Sequence, residues 1–500
     1  MNKNLLLNFN VPSLYPIHLP SIITAVTLSV TLYGTGYTNN SFASSQLNNI
    51  EIKQTLKANQ IKIEQQAPVW IFPAGNNPLL QRDTKLLPAE QKLALALHPL
   101  LDQKKYTEAL AAITAVSNEN YKPAPILQLS PALLLVQGQV YLSVNEYELA
   151  KKSFLSAIKQ LPDFIRAHKN LAVIYIKQQQ YQQARKHLVK VITLGEGDAQ
   201  LYGYLAYINL QLSSPWSAIA GYQQALLLEP NNQQWQQGLL YSLISAKNNH
   251  AAKAILNEML QKTPNDIRLW LQRSRVSLDD NSPLDALTSL EMAIRLGNND
   301  ANNLITTAQL HLNHGSISRA TDLMTQLLNQ WQQEKRQQKN TKHLNAITSI
   351  IGWLVYEKHW AAAKKLLNQS KKHHKSMSAL QQSQLTLHRA RLPNNSHKQI
   401  TQLYEKAIKL SPSNGHALIA LAEHYQKIND YTQAQMLFIR AASLQNFAER
   451  SYIGHAQVHI EQKNYQQAVI MLRKALKLNP SRQDLIQNIR LLDQMNNNQI

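Results

Sequence analysis

His455 and His459 stand four residues apart, and His311 and His314 stand three apart. On a helix, either spacing places two imidazoles on one face, the geometry for sharing a metal ion. Neither pair has a third ligand in register, and the His-Glu-x-x-His pattern does not occur. His373 and His374 sit inside "KKHHK" (371–375), whose lysines repel a cation. Cysteine is absent, which excludes disulfides, thiolate metal sites, iron–sulfur clusters and a cysteine nucleophile. There is no Gly-x-Ser-x-Gly elbow, Walker loop or dinucleotide fingerprint, and glycine is scarce at 14 of 500 residues. The histidines therefore read as partly buried packing residues. No catalytic site, metal or cofactor is expected.

Charge is the remaining chemical signal. Lys and Arg total 51 against 30 Asp and Glu, a formal charge of +21. Such a field favours anionic partners, namely acidic proteins, glycans, headgroups or nucleic acid. The excess is uneven. Between Trp331 and Ile400 stand 13 Lys and Arg against only Glu334 and Glu357. Lys335, Arg336, Lys364, Lys365, Lys371, Lys372 and Lys375 form a candidate basic patch. It reads either as a docking surface or as a solvated junction between helices. No aromatic-and-basic RNA motif accompanies it, so nucleic acid is not the expected partner.

These side chains must be positioned by helices, and the helices repeat. In "EYELAKKSFLSAIKQLP" (146–162), Tyr147, Ala150, Phe154, Ala157 and Pro162 lie in one row. Ala150 recurs as Ala184, Ala218, Ala252, Ala286 and Ala320, at steps of 34 residues. Four residues on, Phe154 becomes Leu188, Tyr222, Leu256, Leu290 and Met324. Twelve residues before each alanine sit Gly138, Ala172, Ala206, Leu240, Ser274 and Ala308, nearly all small. Each period holds two apolar-periodic stretches divided by a polar break such as "SVNE" or "KQQQ", which is a helix–turn–helix. Small residues let the two helices approach to about 8–10 Å. Proline stops the second helix, and the following Asp, Asn or Ser ("PD", "PNN", "PND", "PSN", "PSR") is expected to cap the next one. One pair cannot bury its apolar face alone, so stability must come from stacking.

These residues resemble the tetratricopeptide repeat. That pattern has small residues at positions 8, 20 and 27, tyrosine at 11, aromatics at 17 and 24, and proline at 32. Residues 131–164 match with Gly138, Tyr141, Tyr147, Ala150, Phe154, Ala157 and Pro162. Residues 415–448 match with Ala422, Tyr425, Tyr431, Ala434, Phe438 and Ala441, and residues 449–482 with Ala456, Tyr465, Ala468, Ala475 and Pro480. Units phase from near 90, 131, 165, 199, 233, 267, 301, 344, 381, 415 and 449, about eleven in all. The register breaks between Ala320 and Ala363, where "WQQEKRQQKN" is read as an extension of the preceding helix. The resemblance implies an all-α solenoid, a right-handed superhelix. The expected organisation is a leader or anchor (1–43), an extended linker (44–87), two arrays (88–343 and 344–482) and a capping helix with tail (483–500).

The resemblance also implies a concave groove that binds protein or peptide partners through positions 2, 5, 9, 12 and 13 of each first helix. Here those positions supply Arg166, Lys169 and Lys177, then Gln234, Gln237 and Tyr241, then Arg268 and Arg275. Residues 415–448 offer His416, Glu423 and Lys427. A basic, glutamine-rich groove suits extended backbone and carboxylates. The lysine–asparagine clamp of one subgroup is missing, because Val173 and Tyr204 occupy two of its places.

At the N-terminus, Ser21–Tyr33 is an apolar run of 13 residues, short of the ~20 needed to span a bilayer as a helix. "SFASS" follows and offers cleavage after Ala43. The segment is expected to act either as a cleaved export leader or as a membrane anchor through residues 21–33. The functional expectation is a non-enzymatic scaffold of the bacterial cell envelope, in the periplasm or anchored facing it, serving assembly or secretion of an envelope or surface component. The alternative is a cytoplasmic or inner-leaflet adaptor that binds acidic proteins or nucleic acid through residues 331–400.

Overall fold

A segment that alternates two apolar helical faces with a tight polar break can satisfy its backbone only by folding back on itself. The computed structural model describes residues 86–87, 90–116, 128–333 and 341–497, and among them every regular element is a helix. The expected leader (1–43) and nearly all of the expected linker (44–87) lie outside the described residues. The chain falls into two compact units divided between Asn298 and Asn299. The division expected at 343/344 lies inside the second of these, within the helix Thr341–Tyr356.

In the first unit the pairs are α1 (Gln91–Asp102) with α2 (Tyr106–Ala115), α3 (Pro131–Ser143) with α4 (Tyr147–Gln160), and α5 (Ile165–Lys177) with α6 (Tyr181–Thr193). There follow α7 (Ala199–Gln211) with α8 (Pro215–Leu228), α9 (Gln233–Ser245) with α10 (Asn249–Lys262), and α11 (Ile267–Asp279) with α12 (Pro283–Arg295). The second unit holds α13 (Ala301–Asn313) with α14 (Ile317–Gln333), α15 (Thr341–Tyr356) with α16 (Trp360–Ser370), and α17 (Ala379–Ala390) with α18 (His397–Leu410). It ends with α19 (Gly415–Lys427) and α20 (Tyr431–Ala442), then α21 (Ala448–Glu461) and α22 (Tyr465–Leu478), and finally α23 (Gln483–Asn497). Leu485, Ile489 and Leu492 of α23 are buried, so its apolar face packs onto the last pair. At 17 residues α14 is the longest helix described, while residues 334–340 lie outside the description.

The repeating alanines explain the pairing. Ala150, Ala184, Ala218, Ala252, Ala286, Ala434 and Ala468 are each fully buried, and Ala320 nearly so. Gly138 lies under Phe154: a Cβ there would stand 2.5 Å from the ring. Tyr141 is half-buried. Large residues also lock one pair onto the next. Tyr222 fills the notch at Gly238, Trp235 the notch at Gly203, and Phe438 the notch at Gly454.

The turn inside every pair except α17–α18 has one construction. Asn145, Gln179, Ser213, Lys247 and Asn281 all take positive φ between 53° and 65°, and Gly315 continues the series. Around Asn145, its own N–H donates to the Leu142 carbonyl (3.1 Å) and that of Glu146 to the Tyr141 carbonyl (2.9 Å). This left-handed close satisfies the last carbonyls of the first helix. Asn232, Asp266 and Asn414 cap α9, α11 and α19 as expected. Asp163 does not cap α5. Phe164 takes that place without a side-chain cap bond, and Asp163 pairs with Lys190 at 2.8 Å.

Candidate partner-binding face

In both units the first helices of neighbouring pairs touch: α7 meets α9, and α19 meets α21. Side chains on their free sides therefore form continuous strips, and the expected groove residues belong to these strips. Many of the cations are already paired. The Lys169 ammonium reaches Glu196 (2.5 Å) and Asp198 (3.2 Å), and Asp198 also caps α7. Burial opposes the charge on Lys169, but the hydrogen bonds to Glu196 and Asp198 outweigh it and hold the pKa above its ordinary value. Lys169 is thus a tie between α5 and the start of α7. Arg268 folds back on its own N-cap, donating to both oxygens of Asp266 (3.2 and 2.9 Å). Those bonds hold the Asp266 carboxyl below the usual range against some burial. Arg275 donates to Asp279 at 3.0 Å. Arg166 is half-buried and partnered. Lys177 is exposed, its ammonium 5.5 Å over the Tyr147 ring.

The neutral members carry no ion pair. Gln237 is exposed and Gln234 half-buried on α9. The half-buried Tyr241 hydroxyl accepts from Gln272 of α11 at 3.3 Å, so α9 and α11 share one polar strip. Sequence reasoning passed over α7, which lies between α5 and α9. It contributes Tyr207, ring to ring with Tyr181 at 6.0 Å, and Gln200, which donates to the Tyr204 hydroxyl at 2.8 Å.

The second unit holds a denser group. His416 of α19 sits edge-on to Phe447 at 4.7 Å, in the space left by Gly415. Glu423 of α19 accepts from Arg450 of α21 at 2.9 Å. His388 of α17 is 8% exposed, and Arg391 just beyond it approaches the Tyr404 hydroxyl of α18. Burial, then Arg391 and His416, push the His388 imidazole down to about 3. Burial, then Arg450 and Arg391, push His416 down to about 4. His388, Arg391 and Arg450 were not anticipated. The available signal was a histidine at position 8, where the other repeats favour a small residue. Lys427 is exposed nearby on α19.

The basic patch is described in part. Lys335 and Arg336 lie outside the described residues, as does the Lys375 side chain. Lys364, Lys371 and Lys372 are exposed, while Lys365 pairs with Asp322 at 2.9 Å. Beside them His373 packs edge-on to Trp331 at 6.2 Å. Of the two histidine pairs, His455 is buried and stacks on His459 at 4.8 Å, whereas His314 is exposed and does not act as a packing residue. Among the described residues no group of three or more metal-ligating side chains occurs, and no helix is long and apolar enough to cross a membrane.

Two tetratricopeptide repeat models match the chain, one over residues 135–199 and one over 449–482. The latter span coincides with a unit read from the spacing. Among curated proteins, the general transcriptional corepressor trfA of Dictyostelium discoideum is 26% identical over 120 residues, 23% of this chain and 9% of that protein. The chain thus spans under a tenth of that relative's length. Similar solved structures include YrrB, described as a TPR protein with an unusual peptide-binding site, at 18% identity and TM-score 0.31 over 33% of this chain and 84% of that one. Another is a tetratricopeptide repeat protein from Parabacteroides merdae, at 16% identity and TM-score 0.33 over 48% and 92%. The matched segments, the 34-residue period and the stacked helix pairs together make the described chain an all-α array built of tetratricopeptide repeats.

Proposed function

We propose that the chain is a non-enzymatic scaffold of a bacterial cell envelope that holds peptide or protein segments against its first helices. The observation that carries the binding part is the neutral strip on α9 and α11, with Gln237 exposed and Gln234 and Tyr241 half-buried. Glutamine amides both donate and accept, which suits a backbone that presents N–H and C=O in alternation. The envelope part rests on the apolar run Ser21–Tyr33 and the small residues of "SFASS". The expected role is assembly or secretion of an envelope or surface component.

Two measurements test this. A photo-crosslinking residue at Gln237 is expected to capture peptide-bearing partners, and one at the exposed Leu155 on α4 to capture far less. Equal capture at both would overturn the groove assignment. The intact mass from fractionated cells tests location. A mass starting at Ser44 in the soluble envelope fraction, or full length in the membrane, supports the envelope reading, and full length in the cytosol sinks it. A second reading rests on the exposed Lys364, Lys371 and Lys372: an adaptor docking acidic partners through the basic patch from the cytoplasmic side. Partner binding that stays constant from low to high salt would remove it.

A further inference from the structure

The second helices of the first unit turn one side to the first helices and leave the other free. α4 packs on α3 and α5, α6 on α5 and α7, and α8 on α7 and α9. On the free side of α8, Trp216, Ala220, Gln223 and Leu227 lie on one face of the helix, and all four are exposed. Trp216 is 64% exposed and Leu227 72%, with Leu228 exposed beside it. The whole of α8 carries no charged residue. One repeat earlier, the same face of α6 holds Lys186 and Val189, with Arg185 beside them, all exposed. Two repeats earlier, on α4, it holds Lys152, Leu155 and Lys159, again exposed. Lys190 of α6 reaches Asp163, just past the end of α4, at 2.8 Å and ties the two neighbours. The cations of this side are unmatched. Glu148 is held by Lys151 at 2.7 Å, Asp163 by Lys190, and Glu196 and Asp198 by Lys169. Glu229 accepts from Asn232 and Trp235, which leaves Glu146 at the turn before α4. Among the described residues Lys152, Lys159, Arg185 and Lys186 form no ion pair.

We propose that the free side of α4, α6 and α8 rests on the surface of an anionic lipid bilayer. Trp216 and Leu227 enter the boundary between headgroups and acyl chains, and the lysines and Arg185 meet headgroup phosphates. An exposed tryptophan favours that boundary, where its ring is in apolar surroundings and its N–H stays wet. At 14 residues α8 is about 21 Å long, so it lies along the bilayer and does not cross it. Two other occupants fit less well. A second copy would set the four cations against their own counterparts, which repel. An acidic protein would match the cations of α4 and α6 but leave the uncharged face of α8 without an ionic partner. A bilayer answers both, with phosphates for the cations and acyl carbon for the tryptophan and leucine. This surface lies on the second helices and the peptide strip on the first, so one chain can hold both at once.

The chain has no cysteine, so a single introduced one is labelled uniquely. The test places a nitrobenzoxadiazole fluorophore on the full chain at Leu155→Cys, Leu227→Cys or, as control, Gln237→Cys on α9. Vesicles of phosphatidylcholine with about 30% phosphatidylglycerol are compared with pure phosphatidylcholine. The labels at Leu155 and Leu227 are expected to brighten and shift to the blue on the anionic vesicles alone, and the label at Gln237 to stay unchanged. Each lysine near an anionic surface is worth about fivefold in affinity, so Lys152→Glu with Lys186→Glu should weaken vesicle binding about tenfold or more. Trp216→Ser, read with the label at Leu155, should weaken it about threefold or more. These three side chains are exposed, so helix content should be the same in every variant. Labels at Leu155 and Leu227 that do not respond, or that respond no more than Gln237, would overturn the bilayer face; the second result is what adsorption through residues 21–33 gives. Binding indifferent to the lysine reversals would also overturn it. An equal response to soluble poly-glutamate would assign the face to acidic proteins and remove the bilayer. The groove reading fails separately, because crosslinking at Gln237 needs no vesicle.

Discussion

Ten non-glycine residues among those described share a left-handed backbone, and six of them are not asparagine: Lys104, Gln179, Ser213, Lys247, Lys358 and Lys463. A side chain in this region costs roughly 1–2 kcal/mol relative to glycine, part of which glycine returns through its looser unfolded state. Lys247→Gly is therefore expected to raise stability by about 0.5–1 kcal/mol, seen as a higher urea midpoint, with Lys247→Ala near neutral as the control. This slot was not legible in the sequence, because lysine and glutamine announce nothing about φ. A second residue-scale effect concerns acid. His168 donates from Nε2 to the Pro162 carbonyl (2.9 Å), so its bare Nδ1 accepts from Nδ1–H of His187 at 2.8 Å. Burial, then His168 and Lys186, push His187 down to about 4 from 6.5. The unfolded chain thus takes up the proton first on acidification, so stability is full above about pH 6.5 and declines as pH falls toward 4. Urea midpoints at pH 7 and pH 5 should differ less in His187→Phe than in the parent chain.

At the scale of the element, the first helices beginning at Pro131, Ile165, Ala199, Gln233, Ile267, Ala301 and Gly415 start where the 34-residue phasing places them. That much was legible because spacing of small and large residues is itself the packing code. What spacing did not reveal is which knob enters which hole. Trp235 of α9 occupies the notch at Gly203 of α7, outside the columns that carry the repeat pattern, and a Cβ on Gly203 would meet the indole at 2.4 Å. Gly203→Ala is expected to destabilise the first unit by about 1–3 kcal/mol, read as a lower thermal midpoint. Caps are graded more finely. Asn232→Ala removes acceptors for the Gln234 and Trp235 N–H groups (3.0 and 3.3 Å) and should cost about 1 kcal/mol. Asp163→Ala loses the exposed ion pair with Lys190, itself worth only ~0.5 kcal/mol. The candidate site was less legible than the helices. Lys169, Arg268 and Arg275 were chosen by position, yet their charges are matched within the chain.

For the whole molecule, stability is carried between neighbours, and each unit has its own cores. A Gly203→Ala lesion should lower hydrogen-exchange protection in α7 through α10 and leave α17 through α22 unchanged. Loss of protection in both units alike would mean that the chain unfolds as one body. Part of the net charge of +21 sits in exposed lysines such as Lys364, Lys371 and Lys372, where salt screens it. Finally, the turns at Lys247 (φ 56°) and Asn281 (φ 53°) close with the same pair of backbone bonds. A gene that recombined between those two codons would lose residues 248–281 and rejoin Lys247 to Ser282 without a new turn geometry. The array is therefore built to change length by unequal exchange, one helix pair at a time, and a chain shortened in this way should still express as a folded protein.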